Sequence, residues 1–199
     1  MTRAHLNRAA IDEFLTRLGA AFARPGRLYL VGETTQVYEG WRERTPRLEF
    51  AAEIAPDGRA VFAEVISHLQ AQIGIEVFEE SPGDVIPLPV GHQARARSIG
   101  KFGELRVDHF DPYSVAFRLI ARGDEPDYHA VIAFLQHGWL TVDEMNTLLG
   151  DLLPRLTNET IQQDPAEFRR KYKGLLQMWR AAKPEAARSD LRQGEWRLY

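Results

Sequence analysis

Gly32 and Glu49 are the residues of this 199-residue chain whose types and placement come nearest to a reactive site. An apolar run, Leu28 to Val31, leads into Gly32. Thr34 then opens a short helical stretch, and a second strand follows with Glu49 on its polar face. A glycine followed by a small polar residue at a helix start lets backbone N–H groups cradle phosphate. Two carboxylates at i and i+2 of one strand point to the same face, where they can share a divalent metal that bridges a triphosphate and an attacking group. Gly32 and Thr34 are candidates for the first task and Glu49 for the second. The other half of each arrangement is absent. Glu33 follows Gly32 and puts negative charge where a triphosphate would sit, and the i−2 partner of Glu49 is Arg47, which repels a metal ion. Plainer readings compete at both positions. Gly32 would serve a strand-to-helix turn that needs glycine. Arg47 and Glu49 would form a solvated ion pair worth about 0–1 kcal/mol.

These residues must be positioned by the elements around them. Apolar residues at helical spacing over Ala9 to Phe22, stopped by Pro25-Gly26, predict a first helix. Arg27 to Val31 reads as a strand, Thr34 to Arg42 as a helix with Thr34 as its cap, and Leu48 to Ile54 as a second strand. In that second strand Leu48, Phe50, Ala52 and Ile54 share one face, and Glu49 and Glu53 the other. Pro56-Asp57-Gly58 is a turn, Ala60 to Gln72 a helix with Val61, Phe62, Val65, Ile66 and Leu69 inward, and Ile73 to Phe78 a third strand. Gln93 to Ile99 and Glu104 to Phe110 are expected to form an antiparallel hairpin through Gly100-Lys101-Phe102-Gly103. From Pro112 the chain turns helical: Tyr113 to Ala121, Asp127 to Gln136, Val142 to Leu152 and Pro165 to Ala182. The expected class is α+β, a mixed sheet flanked by helices with a helical C-terminal part. Residues 1–154 would form the main domain, strand-rich to about 111, and 155–199 an amphipathic helix and tail packed on it.

Composition bounds the chemistry. At 44% apolar content the chain can bury roughly 70% of its unfolded surface in one core. Zero cysteines exclude disulfides, thiolate metal sites and a cysteine nucleophile, and suit a reducing cytoplasm. The N-terminus shows no signal-peptide pattern, and no apolar run approaches the roughly 20 residues of a membrane span. A cytoplasmic protein with no membrane partner is expected. The net charge of −3 offers no bulk case for nucleic-acid binding, but it is uneven: residues 155–199 carry ten Lys/Arg against six Asp/Glu, a balance of +4, and the preceding 154 carry −7.

The segments Val31-Gly-Glu-Thr-Thr and Arg44-Thr-Pro-Arg-Leu-Glu-Phe50 resemble the Gly-Gly-Thr-Ala…Arg-Thr-Thr-x-Asp-Ile-Asp-Leu signature of the bacterial nucleotidyltransferase-fold superfamily, in particular its uncharacterised and AbiEii-like toxin members. A second match covers Leu105 to Asp127, where Asp111-Pro-Tyr-Ser-Val-Ala…Arg118-Leu-Ile-Ala-Arg-Gly resembles the family's Asp-Pro-Tyr-Asp-Leu-Ala…Lys-Leu-x-Arg-Gly. The resemblance spans about residues 10–150. It implies a nucleotidyltransferase-like sheet, with Gly32 as the family glycine, Glu49 as the second strand carboxylate and Asp127 as the later aspartate. Arg118 stands at the family lysine, keeping its charge without its compact ammonium geometry. Arg47 stands where the first metal carboxylate is expected, and Ala130 where the last aspartate is. Glu76 and Asp108 are both candidates for the third metal carboxylate on a neighbouring strand. The implied catalytic candidates are therefore Glu49, Arg118 and Asp127, and the implied cofactors of an active enzyme are Mg²⁺ and a nucleoside triphosphate.

Asp108, His109 and Asp111 have the composition of a metal cluster, yet Asp111-Pro112 is an ordinary helix start and His109 would face away from Asp108. His68, His92, His129 and His137 show no ligand spacing. Along the last helix Phe168, Tyr172, Leu175, Leu176 and Trp179 form an apolar stripe, with Arg169, Arg170, Lys171, Lys173 and Arg180 around it. Such a helix packs on a core with a solvated basic face, or offers that face to RNA or an acidic partner. Ser189 to Tyr199, with Trp196 and Tyr199, would pack locally or serve as a docking peptide. Three functions follow: a nucleotidyltransferase-fold protein that has lost ordinary metal-dependent transfer and binds a nucleotide, RNA or protein partner; an active divergent transferase, such as the toxin of a toxin–antitoxin pair; and a protein-interaction module with an antitoxin-like partner.

Overall fold

The computed structural model describes residues 5–157 and 163–182. The fold is α+β, as expected. Among the described residues seven α-helices flank one five-stranded mixed sheet. The chain enters through α1 (Arg8–Phe22), capped by the Asn7 side chain, which accepts from the Ala10 N–H at 3.0 Å. It continues through β1 (Gly26–Leu30), α2 (Gly32–Tyr38), β2 (Arg47–Glu53), α3 (Arg59–Ile73) and β3 (Glu76–Glu79). The second half holds β4 (Arg97–Phe102), β5 (Leu105–His109), α4 (Pro112–Arg122), α5 (Glu125–Gln136), α6 (Val142–Leu152) and α7 (Pro165–Ala182). The strand order is β3-β2-β1-β5-β4. β1 runs antiparallel to β2 and parallel to β5, β2 parallel to β3, and β4 antiparallel to β5.

Alternation along the strands divides the interior in two. Leu28, Leu30, Leu48, Phe50, Leu105 and Val107 face α1 and α3, where they meet Phe14, Leu18, Phe62 and Leu69 in an apolar layer. Tyr29, Val31 and Ala51 face the other way, toward a second core built from α4, α5, α6 and α7. α1 passes very close to the β4–β5 turn. A Cβ on Gly19 would come within 2.2 Å of the Phe102 carbonyl oxygen, so only glycine fits that crossing.

Several sequence expectations shift by a few residues. The third strand begins at Glu76, because α3 continues to Ile73 and Gly74 ends it at φ 71°, in the left-handed region. α2 stops at Tyr38, short of Arg42, and Gly40 follows at φ 76°. Residues His92–Arg95 form a 3₁₀ turn and not the first arm of the hairpin, which runs from Arg97 to Phe102. On α3 only Phe62 and Leu69 are buried, while Val61, Val65 and Ile66 stay half-buried at its flank. The last two helices match the expected bounds. Among the described residues no helix is long and apolar enough to cross a membrane. The Ser189 to Tyr199 tail lies outside the described residues.

Candidate functional site

Gly32 sits at φ 56°, and a Cβ there would lie 2.4 Å from Glu49 Oε2. The glycine is therefore required twice, by its backbone angle and by the carboxylate pressed against it. Its neighbours complete a tight joint between α2 and β2. Glu33 N–H reaches Glu49 Oε2 at 3.4 Å, and the Glu49 N–H donates to Thr34 Oγ1 at 2.7 Å. Thr34 is thus not the helix cap. The helix begins at Gly32, and the Thr34 hydroxyl turns inward to satisfy a strand N–H whose residue is 8% exposed.

The other oxygen of Glu49 is held by Arg47. Arg47 Nε lies 2.8 Å and Nη2 2.7 Å from Glu49 Oε1, and the guanidinium carbon sits 5.4 Å from the centre of the Phe78 ring. This is the ion pair anticipated from the i, i+2 spacing. Glu33, expected to project charge at a phosphate, is turned aside: its carboxylate pairs with Arg42 at 3.0 Å and accepts from Thr45 Oγ1 at 3.1 Å.

Opposite this joint stands a second arginine–carboxylate pair. Arg122 at the end of α4 donates from Nε to Asp127 Oδ2 at 2.9 Å and from Nη2 to Oδ1. The hydrogen bond to Asp127 raises the Arg122 pKa against the opposing effect of burial. Gly32, Arg47 and Glu49 on one side and Arg122, Asp124 and Asp127 on the other line a cleft of about 330 Å³. Of these carboxylates Asp124 alone forms no side-chain hydrogen bond or ion pair among the described residues; it starts α5 without capping it. Glu33 also lines it, so two arginines face four carboxylates and the cleft is polar with an excess of negative charge, part of it offset by Arg42 on Glu33.

Arg118 does not line this cleft. It lies one helical turn earlier, in an ion pair with the buried Glu80, and its Nε is buried with no hydrogen-bond partner. Burial lowers its pKa first, and the like charges of Arg122 and Arg47 add to the effect. The cation at the cleft is Arg122, which sequence reasoning passed over although it stands five residues before Asp127. Glu80 carried no sequence signal, since only folding brings it to Arg118.

The three metal candidates do not converge. Glu76 is in register with Arg47 on the edge strand β3. Asp108 lies on β5, two strands from β2 and therefore about 10 Å away across the sheet. Both of its oxygens are engaged, Oδ2 by Arg27 Nε at 2.6 Å and Oδ1 by Arg106 Nε at 3.2 Å. Among the described residues no group of three His, Cys, Asp or Glu side chains could hold a metal ion. The donor set does not fit Mg²⁺: Glu49 and Asp108 are each already held by a guanidinium, and no third carboxylate converges on either.

Asp108, His109 and Asp111 likewise serve three separate networks. Asp111 caps α4, accepting from the N–H groups of Tyr113 and Ser114 at 3.2 Å each, and takes both Nε and Nη2 of Arg95 at 2.9 Å. His109 points to the opposite face, as its position predicts, with Nδ1 3.3 Å from Thr35 Oγ1 and Nε2 2.9 Å from Glu39 Oε1. Its pKa is lowered by burial, with the Glu39 carboxylate opposing. Among the remaining histidines, His68 and His129 are exposed, His92 lies beside Phe110, and His137 stacks flat on Trp41 with ring centres 4.3 Å apart. No family model, curated protein or solved structure matches this chain.

Proposed function

We propose that this chain is a nucleotidyltransferase-like frame that has given up metal-dependent transfer and binds a nucleotide of low charge, a nucleoside monophosphate in preference to a triphosphate. The supporting observation is the Arg47–Glu49 pair, which seats a fixed cation on the carboxylate that would otherwise hold a metal. One phosphate group matches the planar forks of Arg47 and Arg122, and the carboxylates between them accept hydrogen bonds from ribose hydroxyls. A triphosphate brings more negative charge than two arginines can balance in a cleft that already holds more carboxylates than cations. No covalent step is assigned. The chain's own residues bind and orient, and the cleft's charge balance sets the preference.

Two measurements test this reading. Thermal unfolding with each nucleoside monophosphate and triphosphate, with and without Mg²⁺, should show stabilisation by at least one monophosphate, unchanged by metal. A flat profile across all nucleotides overturns the nucleotide assignment. Incubation with labelled nucleoside triphosphates and Mg²⁺ or Mn²⁺ should transfer no label. Transfer abolished by Glu49→Ala would show that the chain is an active enzyme.

A further inference from the structure

The exposed face of α7 lies outside the residues that line the cleft and is strongly basic. In a chain of net charge −3, Pro165–Ala182 carries five Lys/Arg and one Asp/Glu. The five cations are not equivalent. Lys171 points inward, its Nζ donating to the carbonyls of Ala121 at 2.6 Å and Arg122 at 3.2 Å, and so fastens α7 to the end of α4. Arg170 leans toward Glu167 at 3.8 Å. Arg169, Lys173 and Arg180 are exposed and form no ion pair or hydrogen bond among the described residues. At about 100° per residue these three fall within about 40° of one another around the helix, roughly 110° from the centre of the buried stripe of Phe168, Tyr172 and Leu175.

We infer that this face docks the phosphodiester backbone of RNA, without reading its sequence. From Arg169 to Arg180 the row is about 16 Å long at 1.5 Å per residue. That is long enough to meet several successive phosphates of one strand. Between the cations the surface is low: Gly174 has open space where a Cβ would sit, and with Ala166 and Gln177 it forms part of an open hollow beside Arg169, Arg170 and Lys173. A strand can therefore lie against the helix with guanidinium and ammonium groups on its phosphates. An acidic protein is the weaker match, because a protein interface concentrates its energy in buried aromatic or aliphatic anchors, and the hollow beside Arg169, Arg170 and Lys173 is lined by nothing apolar larger than Ala166. The side chains that could read base edges are also few, which leaves charge as the recognising property.

The test is fluorescence anisotropy of the full chain with a labelled 20-nucleotide single-stranded RNA. Binding should weaken about 20- to 50-fold between 50 and 200 mM salt, the response expected when three to four phosphates of a single strand are neutralised. The triple variant Arg169→Gln, Lys173→Gln, Arg180→Gln should bind at least tenfold more weakly while melting at the parent temperature. Arg17→Gln, an exposed cation on α1 outside both the cleft and α7, should leave RNA affinity unchanged. No binding at 50 mM salt, or binding indifferent to salt, overturns the proposal on the native chain alone. So does polyglutamate of equal length competing as well as unlabelled RNA, which would identify an acidic protein as the partner.

Discussion

The two faces of the sheet solve the same burial problem with opposite chemistry. Toward α1 and α3 the strands present leucine, valine and phenylalanine, and Leu28, Leu30 and Val107 are fully buried among side chains of the same kind. Toward α4 the same strands carry Arg27, Arg47, Glu49, Glu53 and Asp108, tied into pairs across or along the sheet. Tyr29, in the middle of that second face, donates its hydroxyl to Glu53 at 3.1 Å, and burial beside that carboxylate pushes its pKa up to about 12. The apolar face holds by area removed from water, which is indifferent to direction. The charged face holds by geometry, since its fully buried carboxylate, Asp108, is tolerable only while its guanidinium partners stay in place. The first face is a stabilising layer. The second is where a binding site can be built without exposing the core.

The contrast is sharpest at single positions. Phe50, 1% exposed and packed edge-on against Phe62 with ring centres 6.0 Å apart, represents the apolar face. Phe50→Ala should cost about 3–5 kcal/mol in denaturant unfolding, the usual loss for a large buried ring. An effect under 1 kcal/mol would mean that this layer does not carry the fold. Asp108 represents the charged face. Asp108→Ala leaves Arg27 and Arg106 without their shared acceptor and should cost about 1–3 kcal/mol, less than Phe50→Ala because both arginines reach solvent.

A pH series separates the two faces further. His109 is buried on the first face with Thr35 and Glu39 of α2 on its ring nitrogens, the Trp139 ring at 5.1 Å, and Arg97 and Asp108 as the nearby charges. Its folded pKa lies below the ordinary 6.5, so between those two values the unfolded chain binds the extra proton. Stability from this group is complete above about pH 6.5 and is lost as the pH falls through the folded value, by at most about 1.4 kcal/mol per pH unit. Urea unfolding from pH 7 to pH 5 should show that loss, and His109→Gln should flatten the slope relative to the parent. An unchanged slope would remove His109 from the account. The smallest effect is expected at Arg47→Ala. Its pair with Glu49 is partly open to solvent, with the Arg47 side chain 39% exposed, so stability should move by about 0–1 kcal/mol. If the loss exceeds about 2 kcal/mol, the pair is a structural clamp on Gly32 and not the wall of a binding cleft.

Much of the fold was legible because its signals are local. The alternation of Leu48, Phe50 and Glu49 placed a strand with the right faces, and Pro165 to Ala182 announced a helix with one apolar stripe. Asp111-Pro112 was legible as a helix start because an N-cap followed by proline works through its immediate neighbours. The Arg47–Glu49 pair was readable for the same reason, since side chains two apart on a strand share a face. Where the reading slipped, the deciding contact was distant in sequence. Thr34 resembles a cap, yet its hydroxyl serves Glu49, fifteen residues away. Arg118 resembles the cleft cation, yet it is taken by Glu80, and Arg122 occupies the cleft.

By itself the sequence determined the α+β class, the helices and strands to within a few residues, the apolar stripe of the first and last helices and the asymmetry of charge toward the C-terminal helix. All of these depend on periodicity and composition, which the chain carries residue by residue. Only the tertiary structure decided which carboxylate each arginine would neutralise. Glu76 and Asp108 could not be told apart as the partner of Glu49 in one dimension, and strand order placed Glu76 on the edge strand in register with Arg47 and Asp108 two strands away between Arg27 and Arg106. Pairing of buried charges is a property of register and neighbour, and those exist only once the sheet is assembled.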